Sequence, residues 1–287
     1  MSSVSVVITT YNRPQFLKRA VQSALQAGPD LEVIVVDDCS TDETPDVCAE
    51  LADVRYIRLT MNQGLAHARN VGVAESSSEF IAFLDDDDLR LPDSLEKQLC
   101  KMMAEERIAL CYARALIGDA RRQLPTGEIY PSECPQGDIF WELLENNFIP
   151  MPTVLVRKSA LLELGGFNTA LPLVEDWDMW LRISERFLVA AVLEPVAIHR
   201  KADADSNQMS SNSSALCKHA IHVQQMALAR TRARTAVSTK RRHVRSLLRD
   251  RAYKLLIKEA TNLIRNGDAK SARAKLLDAF HVVLFGR

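Results

Sequence analysis

Four consecutive aspartates, Asp85, Asp86, Asp87 and Asp88, follow a short apolar run that is typical of a buried strand. Adjacent carboxylates repel one another unless a cation lies between them. A hard divalent cation such as Mg²⁺ or Mn²⁺ takes oxygen ligands and leaves room for substrate phosphates. The same residues could instead form a solvated acidic turn before the next helix. On its own, the stretch favours neither interpretation.

Two other predicted strands also end in polar residues. An apolar, β-branched run at residues 4–9 leads into residues 10–13, and a similar run at residues 32–36 leads into residues 37–42. Strands alternate with helices here, which predicts an α/β fold with a mostly parallel sheet covered by helices. In such sheets, ligands bind at the carboxyl ends of the strands. We therefore expect the three polar segments to meet in one crevice.

In the second half of the chain, the sequence pattern predicts further strands, followed by a region that contains helices alone. The expected strands, of which the last is a short edge segment, lie at residues 108–116, 153–156, 187–193 and 196–199. Residues 118–137 are rich in Gly, Pro and charge and are expected to form a mobile loop or an excursion of the chain. Residues 202–214 are polar and low in apolar residues and are expected to form a flexible loop. The predicted organisation is a catalytic α/β domain at residues 1–214 and an α-helical extension at residues 215–287.

The composition is that of an ordinary globular protein. Hydrophobic residues make up 47% and charged residues 25% of the sequence, which is enough for a sizeable core. The six cysteines show no zinc-ligand spacing and are expected to be reduced thiols of a cytoplasmic protein. No apolar run reaches the roughly 20 residues of a membrane-spanning helix. The first apolar run is also too short for a signal peptide.

Five segments, in their order and spacing, resemble the family 2 glycosyltransferases. These are inverting enzymes that use nucleotide-diphosphate sugars and have the Rossmann-like GT-A fold. The segments are residues 6–13, 35–42, 62–70, 83–88 and 175–178. Each is weak alone, but the ordered set is specific and spans roughly residues 4–200. The resemblance implies transfer of a hexosyl or N-acetylhexosaminyl group to a glycan or lipid-linked acceptor, as in polysaccharide biosynthesis.

The resemblance also implies a pocket for the nucleotide. Thr9, Tyr11 and Arg13 would line the site of the base and ribose. Asp38 would accept a hydrogen bond from uracil, which implies a UDP-linked donor. A buried carboxylate selects its base because the wrong base would leave the carboxylate unpaired.

The diphosphate would be handled by Arg69 and the aspartate cluster. Arg69 resembles the family arginine near the diphosphate, and the alternative is an exposed helix charge. Asp85 and Asp87 match the Asp-x-Asp motif, which would hold Mn²⁺ or Mg²⁺ against both phosphates, with Asp87 nearest the metal. Such an ion neutralises the charge on the leaving nucleotide. Asp86 would lie near the donor ribose or be solvated, and Asp88 would be structural.

One segment departs from the family pattern. Many relatives carry a Tyr-Arg pair followed shortly by a histidine, whereas this chain has His199, Arg200, Lys201 and Ala202. His199 stands in the tyrosine-like position, and Ala202 stands where the histidine is expected. Because neutral imidazole binds metals, His199 is either a third metal ligand at a shifted position or a packing residue.

Asp176 is the predicted general base. An inverting transfer needs a carboxylate behind the anomeric carbon that takes the proton of the acceptor hydroxyl, and such a group contributes typically ~10²–10⁴-fold to the rate. Glu175 is the neighbouring rival, and Asp178 is expected to start a helix. An acidic first helical turn is also favourable for the helix dipole, so a structural role and a catalytic role are compatible.

Basic residues concentrate between Arg230 and Lys258, whereas acidic residues concentrate in the first two thirds of the chain. The basic helices could lie on anionic lipid at the inner face of the cell membrane. They could equally present a solvated face while packed on the catalytic domain or on another subunit of a homo-oligomer. Nucleic acid is not an expected partner, because no base-stacking aromatic residues interleave with the basic ones.

The sequence therefore predicts a metal-dependent inverting glycosyltransferase. A nucleotidyltransferase would need a Gly-rich, basic phosphate loop after the first strand, and residues 9–13 contain no glycine. The alternative from another class is a catalytically silent protein that binds nucleotide sugars and uses its helical tail as a scaffold.

Overall fold

The structure is a computed structural model that describes residues 4–201, 213–266 and 268–285. The chain divides into two compact units. The first unit comprises Met1–Leu143 and Asn147–Asp203, and the second comprises Leu144–Asn146 and Ala204–Arg287. The described strands all belong to the first unit, and the second unit is helical.

The described strands form one nine-stranded sheet. They are β1 (Val4–Thr10), β2 (Glu32–Asp37), β3 (Arg55–Arg58), β4 (Phe80–Asp85), β5 (Leu89–Arg90), β6 (Ile108–Gly118), β7 (Pro125–Tyr130), β8 (Leu155–Arg157) and β9 (Leu188–Arg200). The order across the sheet is β3-β2-β1-β4-β8-β6-β9-β5, with β7 paired to β6. The first four strands pair in parallel, and β6 also runs parallel to β9. β8 is antiparallel to both β4 and β6.

Helices alternate with the strands of the first unit, as predicted. They are α1 (Pro14–Leu25), α2 (Thr44–Ala49), α3 (Leu65–Glu75), α4 (Ser94–Ala104), α5 (Phe140–Glu145), α6 (Lys158–Glu163) and α7 (Glu175–Arg186), and a 3₁₀ turn spans Met151–Thr153. α1 shows why the sequence folds this way. Pro14 suits the first helical turn, and the buried residues Leu17, Val21 and Ala24 recur at the spacing of one helix face.

β1 lies at the centre of the sheet and is buried along its whole length. Its last residues set the register of the polar strand ends. Thr9 pairs with Asp85 of β4, and Thr10 pairs with Asp37 of β2. The expectation that three polar segments share one edge of the sheet is therefore confirmed.

α3 packs closely against β1 at Gly72. A Cβ atom at this position would lie 2.3 Å from Cγ1 of Val7, which is far inside van der Waals contact. The missing side chain lets the helix approach the strand. This approach fixes Arg69, one turn earlier in α3, beside the polar edge of the sheet.

The segment at residues 118–137, predicted to be a mobile loop or an excursion, contains β7, which pairs antiparallel with β6. The strand was not predicted because every residue of β7 is exposed, so no buried face marks it in the sequence.

The predicted strand at residues 187–193 and the edge segment at residues 196–199 form one continuous strand, β9. The two predicted segments are separated by Glu194 and Pro195. In the structure Pro195 pairs with Arg114 at an irregularity in the β6–β9 register, which accommodates the missing N–H of proline. The two-residue strand β5 was not predicted.

The second unit contains α8 (Ser213–Ala229), α9 (Thr231–Thr235), α10 (Ser238–Arg265) and α11 (Ala269–Phe285). Gln224 of α8 is buried and links the helices to the segment Leu144–Asn146. Its Nε2 donates to the main-chain oxygen of Leu144 at 2.7 Å, and its Oε1 accepts from Nη1 of Arg251 at 2.5 Å. The α-helical character predicted for this region is confirmed. Residues 202–212 of the predicted loop, with Ala202, lie outside the described residues.

Within the described ranges, no helix combines the length and the apolar character that crossing a membrane requires. All six cysteines are free thiols.

Candidate active site

Arg69 joins two acidic segments that are distant in the sequence. Its side chain is 3% exposed and lies between Asp85, at the end of β4, and Glu175, at the start of α7. Nη2 donates to Oδ1 of Asp85 at 2.7 Å, and Nη1 donates to Oε1 of Glu175 at 2.5 Å. Burial opposes the charge of Arg69, but the two carboxylates outweigh burial and raise its pKa. The buried cation thus holds the end of β4 and the start of α7 together.

Asp86 contacts residues that follow β1. Its Oδ2 accepts from Oγ1 of Thr10 at 2.8 Å, and its Oδ1 accepts from Nη1 of Arg13 at 3.3 Å. Burial raises the pKa of Asp86 to about 7, against the attraction of the Arg13 charge. The alternative of a solvated Asp86 was wrong, because the residue is 4% exposed. Its contact with the donor ribose stays a prediction.

Asp87 is held by two arginines. Its Oδ2 accepts from Nη1 of Arg13 at 2.9 Å and from Nη2 of Arg200 at 2.6 Å. The guanidinium of Arg200 also lies 4.5 Å from the centre of the Phe16 ring. Asp88 is buried, and its Oδ1 accepts from the main-chain N–H of Arg200 at 2.7 Å. The aspartates therefore do not form a solvated acidic turn, and the contact of Asp88 suits the structural role predicted for it.

α7 begins with an acidic turn, as its sequence predicts. Val174 precedes the helix with a φ of 58°, a left-handed conformation that is rare for a β-branched residue and turns the chain into the helix. Glu175, Asp176 and Asp178 then lie in the first turn, where carboxylates interact favourably with the helix dipole. Asp178 is buried, and its Oδ2 accepts from Nε of Arg182 at 2.8 Å.

The two candidate bases have different surroundings. Glu175 is buried and paired with Arg69, whereas Asp176 is half-buried. Oδ1 of Asp176 accepts from the main-chain N–H of Trp177 at 2.6 Å, and Oδ2 accepts from Nδ2 of Asn147 at 3.2 Å. Burial raises the pKa of Asp176, while the charge of Arg69 and the two hydrogen bonds act in the opposite direction.

The loop after β2 uses its carboxylates to bind backbone groups. Oδ1 of Asp38 accepts from the N–H of Gln63 at 2.8 Å, and Oδ2 accepts from the N–H of Gly64 at 2.7 Å. Oδ1 of Asp37 accepts from the N–H of Ser40 at 2.8 Å. Asp38 thus fixes the turn that leads into α3. Its hydrogen bond to uracil stays a prediction.

The other residues predicted to contact the nucleotide lie at the end of β1. Thr9 is buried beside Asp85 in the sheet, and Tyr11 is 44% exposed. The side chain of Arg13 is 26% exposed and reaches the aspartate cluster. The structure therefore brings these residues to one edge. Arg69, by contrast, is buried between carboxylates, and its contact with the diphosphate stays a prediction.

His199 lies on β9 and is half-buried. Burial lowers its pKa, although the charges of Asp85, Asp87 and Asp176 oppose this, which favours the neutral imidazole, the form that binds metals. Within the described residues, however, no three His, Cys, Asp or Glu side chains form a group that could hold a metal ion. Mg²⁺ is usually bound by one or two carboxylates together with substrate phosphates. Asp85 and Asp87 fit that kind of site, and the ligand role of His199 stays a prediction.

Several residues that the sequence did not single out also contact the acidic residues, namely Thr10, Gln123, Asn147 and Arg200. Nε2 of Gln123 donates to the main-chain oxygen of Asp87 at 2.7 Å, which ties the segment after β6 to the aspartate cluster. Arg200 lies in the segment that was compared with the Tyr-Arg pair of the family, so the sequence could have indicated that it belongs to the site. The sequence held no signal for Asn147.

Comparison with known proteins identifies the family. The family model described as Glycosyl transferase family 2 matches residues 5–165. An uncharacterized glycosyltransferase of Haemophilus influenzae is 30% identical over 221 residues, which cover 74% of this chain and 74% of that protein. The putative teichuronic acid biosynthesis glycosyltransferase TuaG of Bacillus subtilis is 29% identical over 217 residues, covering 73% of this chain and 82% of TuaG. Other relatives are longer, and the chain matches 30% of an uncharacterized glycosyltransferase of Rickettsia bellii.

Solved structures share the fold at low sequence identity. The mannosyltransferase PcManGT from Pyrobaculum calidifontis, in complex with GDP-Man and Mn²⁺, superposes with a TM-score of 0.63 at 17% identity, covering 99% of this chain and 88% of that chain. S. aureus TarS in complex with UDP-GlcNAc gives a TM-score of 0.60 at 16% identity, covering 99% of this chain and 90% of that chain. The predicted GT-A class, a Rossmann-like α/β fold with a helical C-terminal region, is confirmed. The chain belongs to glycosyl transferase family 2.

Proposed function

We propose that this protein is a metal-dependent inverting glycosyltransferase that moves a sugar from a nucleotide diphosphate to a hydroxyl of a glycan or lipid-linked acceptor. One observation carries the proposal. Arg69 binds both Asp85 and Glu175, and so brings the half-buried carboxylate of Asp176 to the edge where the aspartate cluster lies. A carboxylate base and an acidic site for a metal-bound diphosphate are the two parts that an inverting transfer needs.

Asp176 suits the role of general base better than Glu175. In the transfer, the acceptor oxygen bonds to the anomeric carbon as the bond to the diphosphate breaks, and a carboxylate takes the hydroxyl proton. Glu175 is engaged by the buried guanidinium of Arg69, and breaking a buried ion pair is costly. The hydrogen bonds to Asp176 come instead from the neutral donors of Asn147 and Trp177, and Arg69 acts on it as a nearby charge.

The donor is proposed to be a UDP-sugar carrying a hexosyl or N-acetylhexosaminyl group. Tyr11 and Arg13 follow the central strand and are partly exposed at the crevice, where a base and ribose could lie. Asp38 stands at the neighbouring strand end and would accept the N–H of uracil. The bound nucleotides of the structural relatives, UDP-GlcNAc and GDP-Man, support a nucleotide-sugar donor.

Asp85 and Asp87 would hold Mn²⁺ or Mg²⁺ together with the donor phosphates, with His199 nearby. Carboxylate oxygens are the ligands that such ions prefer. The ion would neutralise the charge that develops on the leaving diphosphate. Arg13 and Arg200 bind Asp87 in this structure, and their guanidinium groups also match the geometry of phosphate oxygens.

We further propose that the helical unit holds the enzyme at the cytoplasmic face of an anionic membrane, near a lipid-linked acceptor. Residues 213–287 contain seventeen Lys and Arg but four Asp and Glu. On α10, Arg242, Arg245 and Arg249 are exposed at the spacing of one helix face. Each basic residue near such a surface contributes about 1 kcal/mol to membrane binding. Packing on a second subunit is the alternative use of this face.

A donor screen tests the proposed activity. Thermal unfolding is followed with UDP, GDP and a panel of their sugars, each with and without Mn²⁺, and release of the free nucleotide is measured under the same conditions. We expect UDP-sugars to raise the melting temperature in a metal-dependent manner, because ligands that bind the native state stabilise it. Stabilisation without turnover of any donor would instead favour the scaffold alternative. Release of pyrophosphate from UTP with a sugar phosphate would favour a nucleotidyltransferase.

A sedimentation assay tests the membrane proposal separately. The protein is centrifuged with vesicles of phosphatidylcholine alone or mixed with phosphatidylglycerol. We expect binding to the anionic vesicles alone and its loss in the triple variant Arg242→Gln, Arg245→Gln, Arg249→Gln. Equal sedimentation of both proteins would refute the proposal, and a change of oligomeric state in the variant would support the subunit alternative.

A further inference from the structure

Asn147 makes contacts in three directions between the end of α5 and the 3₁₀ turn. Its side-chain Nδ2 donates to Oδ2 of Asp176 at 3.2 Å, and its Oδ1 accepts from the N–H of Ile149 at 3.3 Å. Its main-chain oxygen accepts from the hydroxyl of Tyr130, on β7, at 3.1 Å. The contact with the N–H of Ile149 requires Oδ1 on that side, so Nδ2 faces the carboxylate. The amide is therefore oriented by its surroundings.

This arrangement fixes both oxygens of the candidate base. Oδ1 of Asp176 is held by the N–H of Trp177, and Oδ2 is held by Asn147. The NH₂ group of an amide can only donate, so it favours a carboxylate that accepts, which is the ionised form a base requires. Positioning within a fraction of an ångström matters for proton transfer, because misplacement of a catalytic group lowers the rate steeply.

We infer that Asn147 is a positioning residue, which orients the carboxylate of Asp176 toward the acceptor hydroxyl and favours its ionised form. The inference rests on the proposed function, because it needs Asp176 to be the base. It adds a segment that the family motifs leave out, since Asn147 lies outside all five segments that carry the family resemblance.

Other charged groups also act on Asp176 and must stay unchanged in the test. They are Arg69 on α3, Asp85 on β4, Glu175 on α7 and His199 on β9. Tyr130 on β7 is also titratable, but burial raises its pKa, so its hydroxyl is uncharged over the acid limb. Substitutions at position 147 leave all of these side chains in place. Asn147→Ala removes the donor. Asn147→Asp keeps the shape but places a second carboxylate beside the base.

The test measures UDP release with Mn²⁺ from whichever of UDP-glucose, UDP-galactose and UDP-N-acetylglucosamine turns over. We expect kcat to fall about 10- to 100-fold in Asn147→Ala, the equivalent of one hydrogen bond to a charged group, with little change in donor KM. The acid limb of the profile of kcat against pH should move to higher pH in Asn147→Ala, which lacks the donor to Asp176. It should move farther in Asn147→Asp, because a neighbouring negative charge raises a carboxyl pKa. The exposed neighbour Asn146 provides a matched control, and Asn146→Ala should behave as the wild type.

The outcomes separate this inference from the proposed function. If Asp176→Asn is inactive while Asn147→Ala keeps the wild-type kcat and pH profile, the inference is overturned and the proposed function stands. If Asp176→Asn remains active, the assignment of Asp176 as the base and the inference that rests on it are both overturned, whereas the proposed glycosyl transfer stands. Should the variants at position 147 fail to fold, Tyr130→Phe removes the O–H that holds the main chain of Asn147, and it should give a smaller shift of the acid limb in the same direction. An unmoved limb in Tyr130→Phe would then overturn the inference.

Discussion

Two sets of arginine side chains, one in each compact unit, have opposite environments. In the crevice, the side chains of Arg69 and Arg200 are 3% and 5% exposed, and each binds a carboxylate. On α10, Arg242, Arg245 and Arg249 are exposed. A buried charge depends on its partner, because losing the partner leaves an uncompensated charge out of water. An exposed charge is screened by water and salt. The buried pair therefore fixes geometry, whereas the three arginines of α10 are exposed to solvent.

The largest effect is expected at Asp176, the carboxylate whose hydrogen bonds come from the neutral donors of Asn147 and Trp177. Asp176→Asn should lower the rate of UDP release from the donor by about 10²–10⁴-fold, the usual contribution of a general base. Donor KM should change little, because the carboxylate acts on the acceptor. Steady-state kinetics measure both quantities. Asp46→Asn is the matched control, since Asp46 is also in a first helical turn but is exposed on α2, and it should keep full activity.

The contrast between buried and exposed arginines can be tested by substituting one arginine of each kind. Arg69→Met should lower the free energy of unfolding by about 3–5 kcal/mol, because it leaves the carboxylates of Asp85 and Glu175 without their buried cation. The same change at an exposed position, Arg245→Met, should alter it by less than about 0.5 kcal/mol. Urea unfolding followed by circular dichroism measures both. Equal losses of unfolding free energy in the two variants would show that burial of an arginine does not determine its contribution to stability.

The pH dependence of the free energy of unfolding tests how burial acts on the carboxyl group of Asp86. The pKa of Asp86 is raised to about 7 in the folded protein, above the ordinary value near ~3.9, so the folded state binds more protons between these two values. The stability that protonated Asp86 contributes is full below about pH 4 and is lost as the pH rises through about 7.

The measurement compares wild type with Asp86→Asn by urea unfolding in EDTA, at about pH 5 and about pH 8. The wild type should lose on the order of 1 kcal/mol more than the variant over this interval, because only the wild type has a carboxyl group at position 86 that must ionise while buried. Parallel pH dependence in both proteins would contradict the raised pKa of Asp86.

The smallest effect on the fold is expected on α10. The triple variant Arg242→Gln, Arg245→Gln, Arg249→Gln should change the free energy of unfolding by less than about 0.5 kcal/mol per site, because exposed charges contribute little to stability. Urea unfolding at low and high salt measures this. A loss of several kcal/mol would mean that these residues are structural, and the contrast between the two units would fail.

Much of the fold could be predicted because the signals were local. The alternation of strands and helices around Val4–Thr10 and Pro14–Leu25 follows from apolar periodicity and from proline at the helix start. β7 was missed because all its residues are exposed, and periodicity reports only buried faces. The continuity of β9 through Pro195 was missed because proline usually breaks a strand, and only its pairing with β6 shows the irregularity that admits it.

The sequence alone determined the family, the polar strand ends and the acidic residues at Asp85, Asp87 and Asp176, because residue type and spacing along the chain carry that information. Only the tertiary structure decided how these acids are used. It assigned Glu175 to the buried Arg69 and left Asp176 with the neutral donor of Asn147. The physical reason is that the partner and the burial of a carboxylate depend on which distant segments pack around it, and no local pattern in the chain records that choice.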